Sequence, residues 1–239
     1  GENTDRTLEV ASANRIEHVL SSPKELVDKS DIVFVETRHG GLHLELARLA
    51  LDAGKPVFVD KPLATTPTDA IALVSAVEEA RVPMVSFSAL RYGSDTIKFG
   101  EAIKDSGPVR YASYCGPASR TSPYGGIIFY AIHCVELMIH HHGMDIVDVR
   151  AVEYPEGGQL SNVSVTCGFE ENTLVTLGLI CDGAYEFRML AYGRDRVIES
   201  PLVNKDYYRA ALQEVLNVLV HNKPSEISYE EMVRSIQVS

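Results

Sequence analysis

Short apolar runs alternate with amphipathic stretches over the first ninety residues. The runs at 31–36, 56–60 and 83–87 are almost continuously apolar, which is typical of strands buried on both faces of a sheet. Between them, apolar residues recur with a helical period at 42–53, and residues typical of a helix start at 66–69 predict a second helix that runs to about residue 80. Strands joined by helices of this length form parallel sheets with right-handed crossovers. The pattern therefore predicts a doubly wound α/β domain in this part of the chain.

Residues that commonly begin or end helices support this division. Ser22 can cap a short helix that we predict over 23–29, and Thr66 followed by Pro67 has the character of a second helix start. Gly54 stands where glycine commonly ends a helix. These residues mark where the predicted helices begin or end.

The pattern changes after Phe87. A long apolar helix is predicted over 127–142, ended by Gly143, and alternating apolar and polar residues predict several strands. We expect these strands at 109–115, 147–154, 163–169, 173–181, 184–192 and 196–199, and further helices at 95–106, 206–221 and 229–236. The short loops between the strands favour antiparallel hairpins. The sequence therefore predicts two domains that meet near residues 90–95.

Composition and charge narrow the class of protein. With 45% hydrophobic and 23% charged residues, the chain of 239 residues has the composition of a globular protein. Its formal net charge of −11 argues against partners such as nucleic acid or an anionic membrane. No apolar run approaches the ~20 residues of a membrane span, and the first residues do not resemble a signal peptide. The four cysteines lack C-x-x-C spacing, so we expect buried thiols in the reducing cytoplasm.

Two segments that could bind a ligand follow predicted strands. In doubly wound sheets, ligands bind beyond the carboxyl ends of the strands. The segment 36–43 carries two adjacent glycines, which allow close backbone approach, before a helix N-terminus that favours negative charge. Asp60-Lys61-Pro62 ends the next strand with two charged groups that do not favour unpaired burial. The alternatives are an ordinary strand-to-helix loop and a surface turn with a solvated lysine.

His133 lies inside the long apolar helix and is the natural proton carrier near neutral pH. The alternative is a histidine that only packs in the core. His133, Glu136 and His140 lie roughly on one helix face and could form a metal site, but no second ligand cluster accompanies them. We therefore predict no metal. We expect His140 to His142 to stabilise the negative end of the helix dipole instead.

Taken in order, the motifs resemble those of one family. They are T-x-x-G-x-x-H at 37–43, D-K-P-L at 60–63, S-A-L-R-Y at 88–92 and G-G-x(6)-H at 125–133. The set resembles the glucose–fructose oxidoreductase / inositol dehydrogenase (Gfo/Idh/MocA) family, in a subgroup with R-H-G-G-L-H, D-K-P-L and S-A-L-R-Y motifs. The resemblance implies a Rossmann dinucleotide-binding domain at 1–93. It also implies a substrate and oligomerisation domain at 94–239, with an open, mostly antiparallel sheet.

The resemblance also implies a function. Family members transfer a hydride between NAD or NADP and a secondary alcohol, here of a sugar, polyol or inositol-like substrate. It further implies a homo-oligomer, a dimer or a tetramer, assembled through the C-terminal sheet. The alternative is a catalytically weak or inactive regulatory protein that binds dinucleotide and sugar on the same fold.

Roles for single residues follow from the same resemblance. Lys61 and His133 are the implied catalytic residues, with His133 as the base and Lys61 stabilising the developing alkoxide. The implied cofactor contacts are Thr37, Arg38, His43, Asp60, Lys61, Pro62 and Arg91. The implied substrate contacts are Lys61, Tyr124, Tyr130 and His133.

The chain departs from the family pattern at an important position. Asp60 replaces the usual glutamate conservatively, but Phe129 stands where the family has an aspartate. Because Phe129 has no side-chain acceptor, His133 loses the carboxylate that would normally tune it. The Glu136 carboxylate or the Tyr130 hydroxyl could substitute for it.

The glycine-rich turn G-x-G-x-x-G, which cradles a pyrophosphate, occurs nowhere in the 239 residues. We therefore expect the first strand, its turn and the second strand to precede Gly1. Glu2 and Asp5 are candidates for the acidic residue that holds the adenosine ribose. Without those strands, we expect weak dinucleotide binding by this stretch.

Overall fold

The structure, a computed structural model, describes residues 3–158 and 160–239. Its helices are α1 (Thr4–Ala13), α2 (Pro23–Lys29), α3 (His43–Asp52), α4 (Pro67–Ala80), α5 (Ser94–Lys104), α6 (Ile128–His142), α7 (Tyr207–Leu219) and α8 (Tyr229–Val238). Its strands are β1 (Val33–Val35), β2 (Val57–Asp60), β3 (Met84–Phe87), β4 (Val109–Pro117), β5 (Ile146–Tyr154), β6 (Asn162–Phe169), β7 (Leu174–Ile180), β8 (Arg188–Gly193) and β9 (Val197–Pro201). Glu2, a candidate for the ribose contact, lies outside the described residues, and Asp5 lies in the first turn of α1.

The strands β1, β2 and β3 form a parallel sheet in that order, as the apolar runs predict. Val57 and Val85 are completely buried, and all four residues of β3 are buried. The prediction that β1 is buried on both faces is wrong. Phe34 is 41% exposed, because only the face that carries Val33 and Val35 is covered.

The predicted helix ends are confirmed. The Ser22 side chain accepts a hydrogen bond from the backbone N–H of Glu25 at the start of α2. Thr66 caps α4 in the same way. Gly54 and Gly143 follow α3 and α6 with φ angles of 68° and 82°, in the left-handed region that favours glycine.

The remaining strands form a second sheet in the order β5-β6-β7-β4-β8-β9. All neighbouring strands are antiparallel except β4 and β7, which confirms an open, mostly antiparallel sheet. β8 begins at Arg188, whereas the pattern predicts a strand from Ala184. Phe187, just before β8, is buried and packs edge-on against His133.

The helix α6 joins two hydrophobic cores. Ile132 is buried in the core around the first sheet, whereas Leu137 and Met138 are buried in the core beneath the second sheet. The C-terminal helices return to the first core, where Val215 of α7 and Met232 of α8 are buried. The boundary between the two predicted domains stays a prediction. In residues 3–158 and 160–239, no helix has the length and apolar character needed to cross a bilayer.

Candidate active site

Lys61 lies at the carboxyl end of β2 and reaches across to α6. Its Nζ donates a hydrogen bond to the backbone carbonyl of Phe129 at 2.8 Å and lies 4.0 Å from the centre of the Phe129 ring. Burial lowers the pKa of Lys61, although the negative charges of Asp60 and Glu136 oppose this. Burial likewise raises the pKa of Asp60, against the Lys61 backbone N–H and charge. The two parts of the chain thus meet at a partly desolvated lysine.

Aromatic side chains surround this lysine on the α6 side. The Phe129 ring lies 5.1 Å from that of Tyr124 and 4.8 Å from that of Tyr130. Tyr130 lies 5.1 Å from Lys61 Nζ, and its ring meets that of Tyr185 edge-on at 5.5 Å. Because aromatic faces attract cations, these rings stabilise the ammonium form without adding a carboxylate.

His133 lies one helical turn beyond Phe129 on α6 and is half-buried. Its Nδ1 is 2.6 Å from the hydroxyl oxygen of Ser88, the residue that follows β3. Burial, together with the positive charge of Lys61, holds the pKa of His133 well below its usual range. His133 is therefore a neutral imidazole at pH 7.

Ser88 also contacts Glu136, one turn further along α6. Its backbone N–H donates to Oε2 of Glu136 at 2.6 Å. Burial raises the pKa of Glu136 to about 7, although Arg91 opposes this. Glu136 therefore reaches His133 through Ser88 and not directly. The sequence did not single out Ser88 itself, although it opens the S-A-L-R-Y motif directly after a buried strand.

The loop after β1 is held by His43. This side chain is completely buried, with Nε2 2.8 Å from the carbonyl of Thr37 and Nδ1 2.8 Å from the carbonyl of Pro62. The loops after β1 and β2 are thereby tied together. A Cβ on Gly40 would lie 2.9 Å from Pro62 Cγ, so this close approach requires glycine. Direct contact of the His43 ring with a cofactor is not supported, because both its nitrogens have partners inside the protein.

Arg38 and Tyr124 meet at the mouth of the cleft. An Arg38 guanidinium nitrogen donates to the Tyr124 hydroxyl at 3.2 Å, and its central carbon lies 5.3 Å from the ring centre. Beside them is an open cleft of about 400 Å³ lined by His39, Gly41, Leu42, Pro123 and Tyr124. The structure thus places both of these sequence-predicted residues on one surface.

Arg91 does not reach the cleft. It is buried, and one guanidinium nitrogen donates to Oε1 of Glu231 at 2.7 Å and to Nδ1 of His140 at 3.0 Å. The expected cofactor contact is corrected accordingly: the Arg91 charge is neutralised by α8 inside the protein. Its physical role is to hold α8 against α6.

The histidines at the end of α6 have interior partners as well. The Tyr114 hydroxyl lies 3.1 Å from Nδ1 of His141 and 2.9 Å from Nε2 of His142. Burial lowers the pKa of His140 to about 4, of His141 to about 3 and of His142 to about 4. The expectation that they carry charge at the helix end is wrong, because they are neutral at pH 7. Within the described residues, no three His, Cys, Asp or Glu side chains are arranged to hold a metal ion.

A family model described as "Oxidoreductase family, NAD-binding Rossmann fold" (GFO_IDH_MocA) matches residues 1–87. This segment is similar to the Gfo/Idh/MocA family. A curated relative, inositol 2-dehydrogenase of Gluconacetobacter diazotrophicus, is 35% identical over 94 residues. That match covers 38% of this chain and 27% of the relative, so it spans about a quarter of the relative's length. Membership of the subgroup with the R-H-G-G-L-H motif stays a prediction.

Solved structures resemble the chain over nearly its whole length. A probable dehydrogenase from Thermotoga maritima has a TM-score of 0.85 at 19% identity and covers 98% of this chain and 84% of its own. The apo scyllo-inositol dehydrogenase from Lactobacillus casei has a TM-score of 0.85 at 17% identity, with 99% and 83% coverage. GenD2 from gentamicin A biosynthesis, solved in complex with NAD, has a TM-score of 0.84 at 16% identity, with 97% and 80% coverage. These likenesses confirm the predicted fold class, and the family's description as NAD-binding confirms the expected class of cofactor.

The residues that follow β1 and β2 fit the nicotinamide end of a dinucleotide cofactor. In the described part of the chain, Oγ1 of Thr37 is buried without a hydrogen-bond partner, and a buried hydroxyl of this kind is satisfied by a polar ligand group. Asp60 and Lys61 lie at the end of the neighbouring strand. Since no G-x-G-x-x-G turn occurs in the 239 residues, this fit concerns the nicotinamide end alone.

Proposed function

We propose that this protein is an NAD- or NADP-dependent oxidoreductase that acts on a secondary alcohol of a sugar, polyol or inositol-like substrate. The proposal is carried by one observation: Lys61, at the end of β2, contacts the first turn of α6, and His133 lies one turn further along that helix, near enough for the positive charge of Lys61 to lower its pKa. A lysine and a neutral histidine thus flank the space beyond the carboxyl ends of the strands, where ligands of such sheets bind.

When bound, NAD or NADP supplies the nicotinamide ring that exchanges a hydride with the carbinol carbon. Thr37 and Asp60 are suited to orient its nicotinamide end. Hydride leaves the substrate only as the hydroxyl proton is removed, so a base must lie within hydrogen-bond distance of the oxygen. Lys61 and His133 are the two candidates for this base, and the positive form of Lys61 would stabilise an alkoxide. Tyr124 and Tyr130 contribute the wall on the substrate side.

The test is turnover of NAD⁺ and NADP⁺ by the full-length protein with a panel of sugars, polyols and inositols. We expect reduction of one cofactor with at least one member of the panel, and a loss of about 10²–10⁴-fold in kcat/KM for Lys61→Ala. The exposed lysine Lys205 provides the matched control, and Lys205→Ala should leave kcat/KM unchanged. Tight cofactor binding without turnover of any panel member would instead favour the regulatory protein. Calorimetric titration with each dinucleotide decides between NAD and NADP.

We also propose that the protein is a homo-oligomer assembled through the second sheet. One face of this sheet packs on α6, whereas the other carries small or half-buried side chains, including Ser113, Thr166 and Thr176 in one row across β4, β6 and β7. An open sheet face of this kind is suited to packing against a second copy. Light scattering should show a dimer or tetramer, and Thr176→Arg in the middle of the face should dissociate it.

We further propose a reducing compartment, the cytoplasm. The support is that all four cysteines are free thiols, and that Cys134 and Cys167 are buried. Localisation of a tagged full-length protein tests this.

A further inference from the structure

Ser88, directly after β3, forms hydrogen bonds with two ionisable residues of α6, His133 and Glu136. The residue is completely buried, and its N–H donates to Glu136 while its Oγ lies 2.6 Å from Nδ1 of His133. The same Oγ accepts a hydrogen bond from the backbone N–H of Leu90 at 3.3 Å. A serine hydroxyl can donate or accept, so the direction of its bond to His133 is set by its surroundings.

Hydrogen-bond satisfaction decides this direction. The hydrogen of a completely buried hydroxyl needs an acceptor, because an unpaired polar group inside a protein destabilises the fold. Of the two groups bonded to Ser88 Oγ in the described part of the chain, the Leu90 N–H can only donate, so the acceptor is Nδ1 of His133. Nδ1 therefore carries no hydrogen, and in the neutral ring the hydrogen lies on Nε2.

The Nε2 atom of His133 faces away from this bond. Within residues 3–158 and 160–239 it has no hydrogen-bond partner, and it is not among the buried polar atoms that lack one. His133 is only half-buried, and its ring packs against Tyr130 and Phe187. Nε2 is therefore the ring nitrogen left to meet a substrate oxygen.

We propose that Ser88 is a positioning residue that holds His133 in the Nε2–H tautomer, so that His133 donates a hydrogen bond to the substrate oxygen and Lys61 accepts the hydroxyl proton. The inference rests on the proposed function and changes one role expected from the sequence, in which His133 is the base. An imidazole with its hydrogen on Nε2 has no lone pair there and cannot take the proton.

The burial of Lys61 suits this role, although the neighbouring aromatic rings act in the opposite direction and stabilise its ammonium form. As a neutral amine it keeps its bond to the Phe129 carbonyl through one N–H and presents its lone pair to the substrate. During oxidation the carbinol hydride goes to the nicotinamide, the hydroxyl proton goes to Nζ, and the carbon–oxygen double bond forms. The amine becomes an ammonium, while Nε2–H of His133 stays bonded to the oxygen. Burial, which lowers the pKa of Lys61, increases the fraction of free amine available at a given pH.

Heteronuclear NMR of histidine-labelled full-length protein tests the tautomer without any turnover. The His133 signal is assigned by its loss in His133→Gln, and we expect Nε2 to be protonated and Nδ1 unprotonated at pH 7. In Ser88→Ala the Nδ1 resonance should shift, because the hydroxyl that donates to it is gone. Ser86→Ala is the matched control: Ser86 is also a buried serine, two residues earlier on β3, and its removal should leave the His133 signal unchanged.

Kinetics with the substrate found in the panel provide the second measurement. Glutamine places an N–H donor near the position of Nε2 but cannot act as a base, so His133→Gln should retain activity within about tenfold, whereas His133→Ala should lose about 10²-fold or more. Ser88→Ala should lower kcat about fivefold to tenfold with KM nearly unchanged, which corresponds to one hydrogen bond of about 1 kcal/mol. Ser88→Thr, which keeps the hydroxyl, should restore it. The limb of the kcat/KM profile that rises with pH should persist in His133→Gln, because it belongs to Lys61.

Two results would overturn the proposal. One is a wild-type His133 with its hydrogen on Nδ1. The other is a His133→Gln variant that is as inactive as His133→Ala and has lost the pH-dependent limb. If no panel member is oxidised, the proposed function fails, but the tautomer measurement still decides the role of Ser88. If Ser88→Ala does not fold, the wild-type tautomer and the Ser88→Thr variant carry the test.

Discussion

Histidines at the two ends of α6 lie in contrasting surroundings. His133 is half-buried, has Nδ1 bonded to Ser88 and lies near the positive charge of Lys61. The histidines at 140–142 instead have interior partners, Arg91 or the Tyr114 hydroxyl. All four rings are neutral at pH 7, since burial lowers the pKa of each. A depressed pKa therefore does not distinguish a candidate catalytic histidine from a structural one, whereas the influence of the Lys61 charge on His133 does.

The partners also differ in what they can do. The guanidinium of Arg91 can only donate, so it fixes His140 with an unprotonated Nδ1 whatever surrounds them. The hydroxyl of Ser88 can donate or accept, so the state of His133 depends on the other groups at Ser88. The tautomer of His133 thus depends on the Leu90 N–H as well as on Ser88, whereas Nδ1 of His140 is set by Arg91 alone.

The largest expected effect is a difference in catalytic activity between variants at the two ends of α6. His133→Ala should lower kcat/KM about 10²–10⁴-fold, because the group beside the substrate oxygen is removed. His141→Ala should leave kcat/KM unchanged but lower the free energy of unfolding by about 2–3 kcal/mol. Its ring bonds to Tyr114, lies 3.3 Å from the Thr96 carbonyl and packs against Phe99. Steady-state kinetics and urea unfolding of both variants check this, and equal losses of activity would remove the distinction.

The second effect concerns the ion pair of Arg91 and Glu231 near the C-terminal end of α6. Arg91→Ala should lower the free energy of unfolding by about 3 kcal/mol, because the half-buried Glu231 and the buried Glu136 are left near each other without a cation. Arg91→Lys should recover part of this loss, since it keeps the charge but not the fork of donors. The exposed pair of Arg188 and Glu199 provides the control, and Arg188→Ala should change stability by less than about 1 kcal/mol. Thermal and urea unfolding measure all three.

The local features of the fold could be predicted from the sequence because they depend on neighbouring residues. Continuous apolar runs marked β2 and β3, and the caps at Ser22 and Thr66 follow from side chains that bond within three residues. That Lys61 and His133 share a site stays a prediction, and it rests on the resemblance to a family because no local pattern links the two residues.

The partners of each site residue could not be predicted in this way. Ser88 and His133 are 45 positions apart, and Arg91 and Glu231 are 140 positions apart. Their contacts depend on how α6 and α8 pack, which no local pattern encodes. Sequence reasoning therefore places Arg91 in the cleft and predicts that the histidines at 140–142 interact with the helix dipole, because it does not include these distant contacts. The sequence shows that Ser88 is a serine directly after a buried strand. Nothing in the sequence links Ser88 to His133.

A third prediction uses pH to probe Glu136, which lies between the two ends. Burial raises its pKa in the folded protein to about 7, above the value of 4.5 for an unperturbed glutamate. The folded state therefore binds this proton more tightly, and the resulting stability is present below pH 4.5 and lost as the pH rises through 7. Relative to Glu136→Gln, the wild type should lose on the order of 2 kcal/mol between pH 5 and pH 8. Unfolding measured at both pH values checks this. Glu230→Gln, an exposed site on α8, should show no such difference.

The smallest effect concerns the hydroxyl that serves two histidines. Tyr114→Phe removes the group that lies 3.1 Å from His141 and 2.9 Å from His142, and leaves two ring nitrogens with fewer partners. We expect a loss of about 1–2 kcal/mol in the free energy of unfolding, with kcat/KM unchanged. Tyr111→Phe on the open face of the same strand is the control and should stay within about 0.5 kcal/mol. If Tyr114→Phe instead lowered activity while stability held, the far end of α6 would be coupled to the candidate active site, and the separation of this helix into a catalytic and a structural end would be wrong.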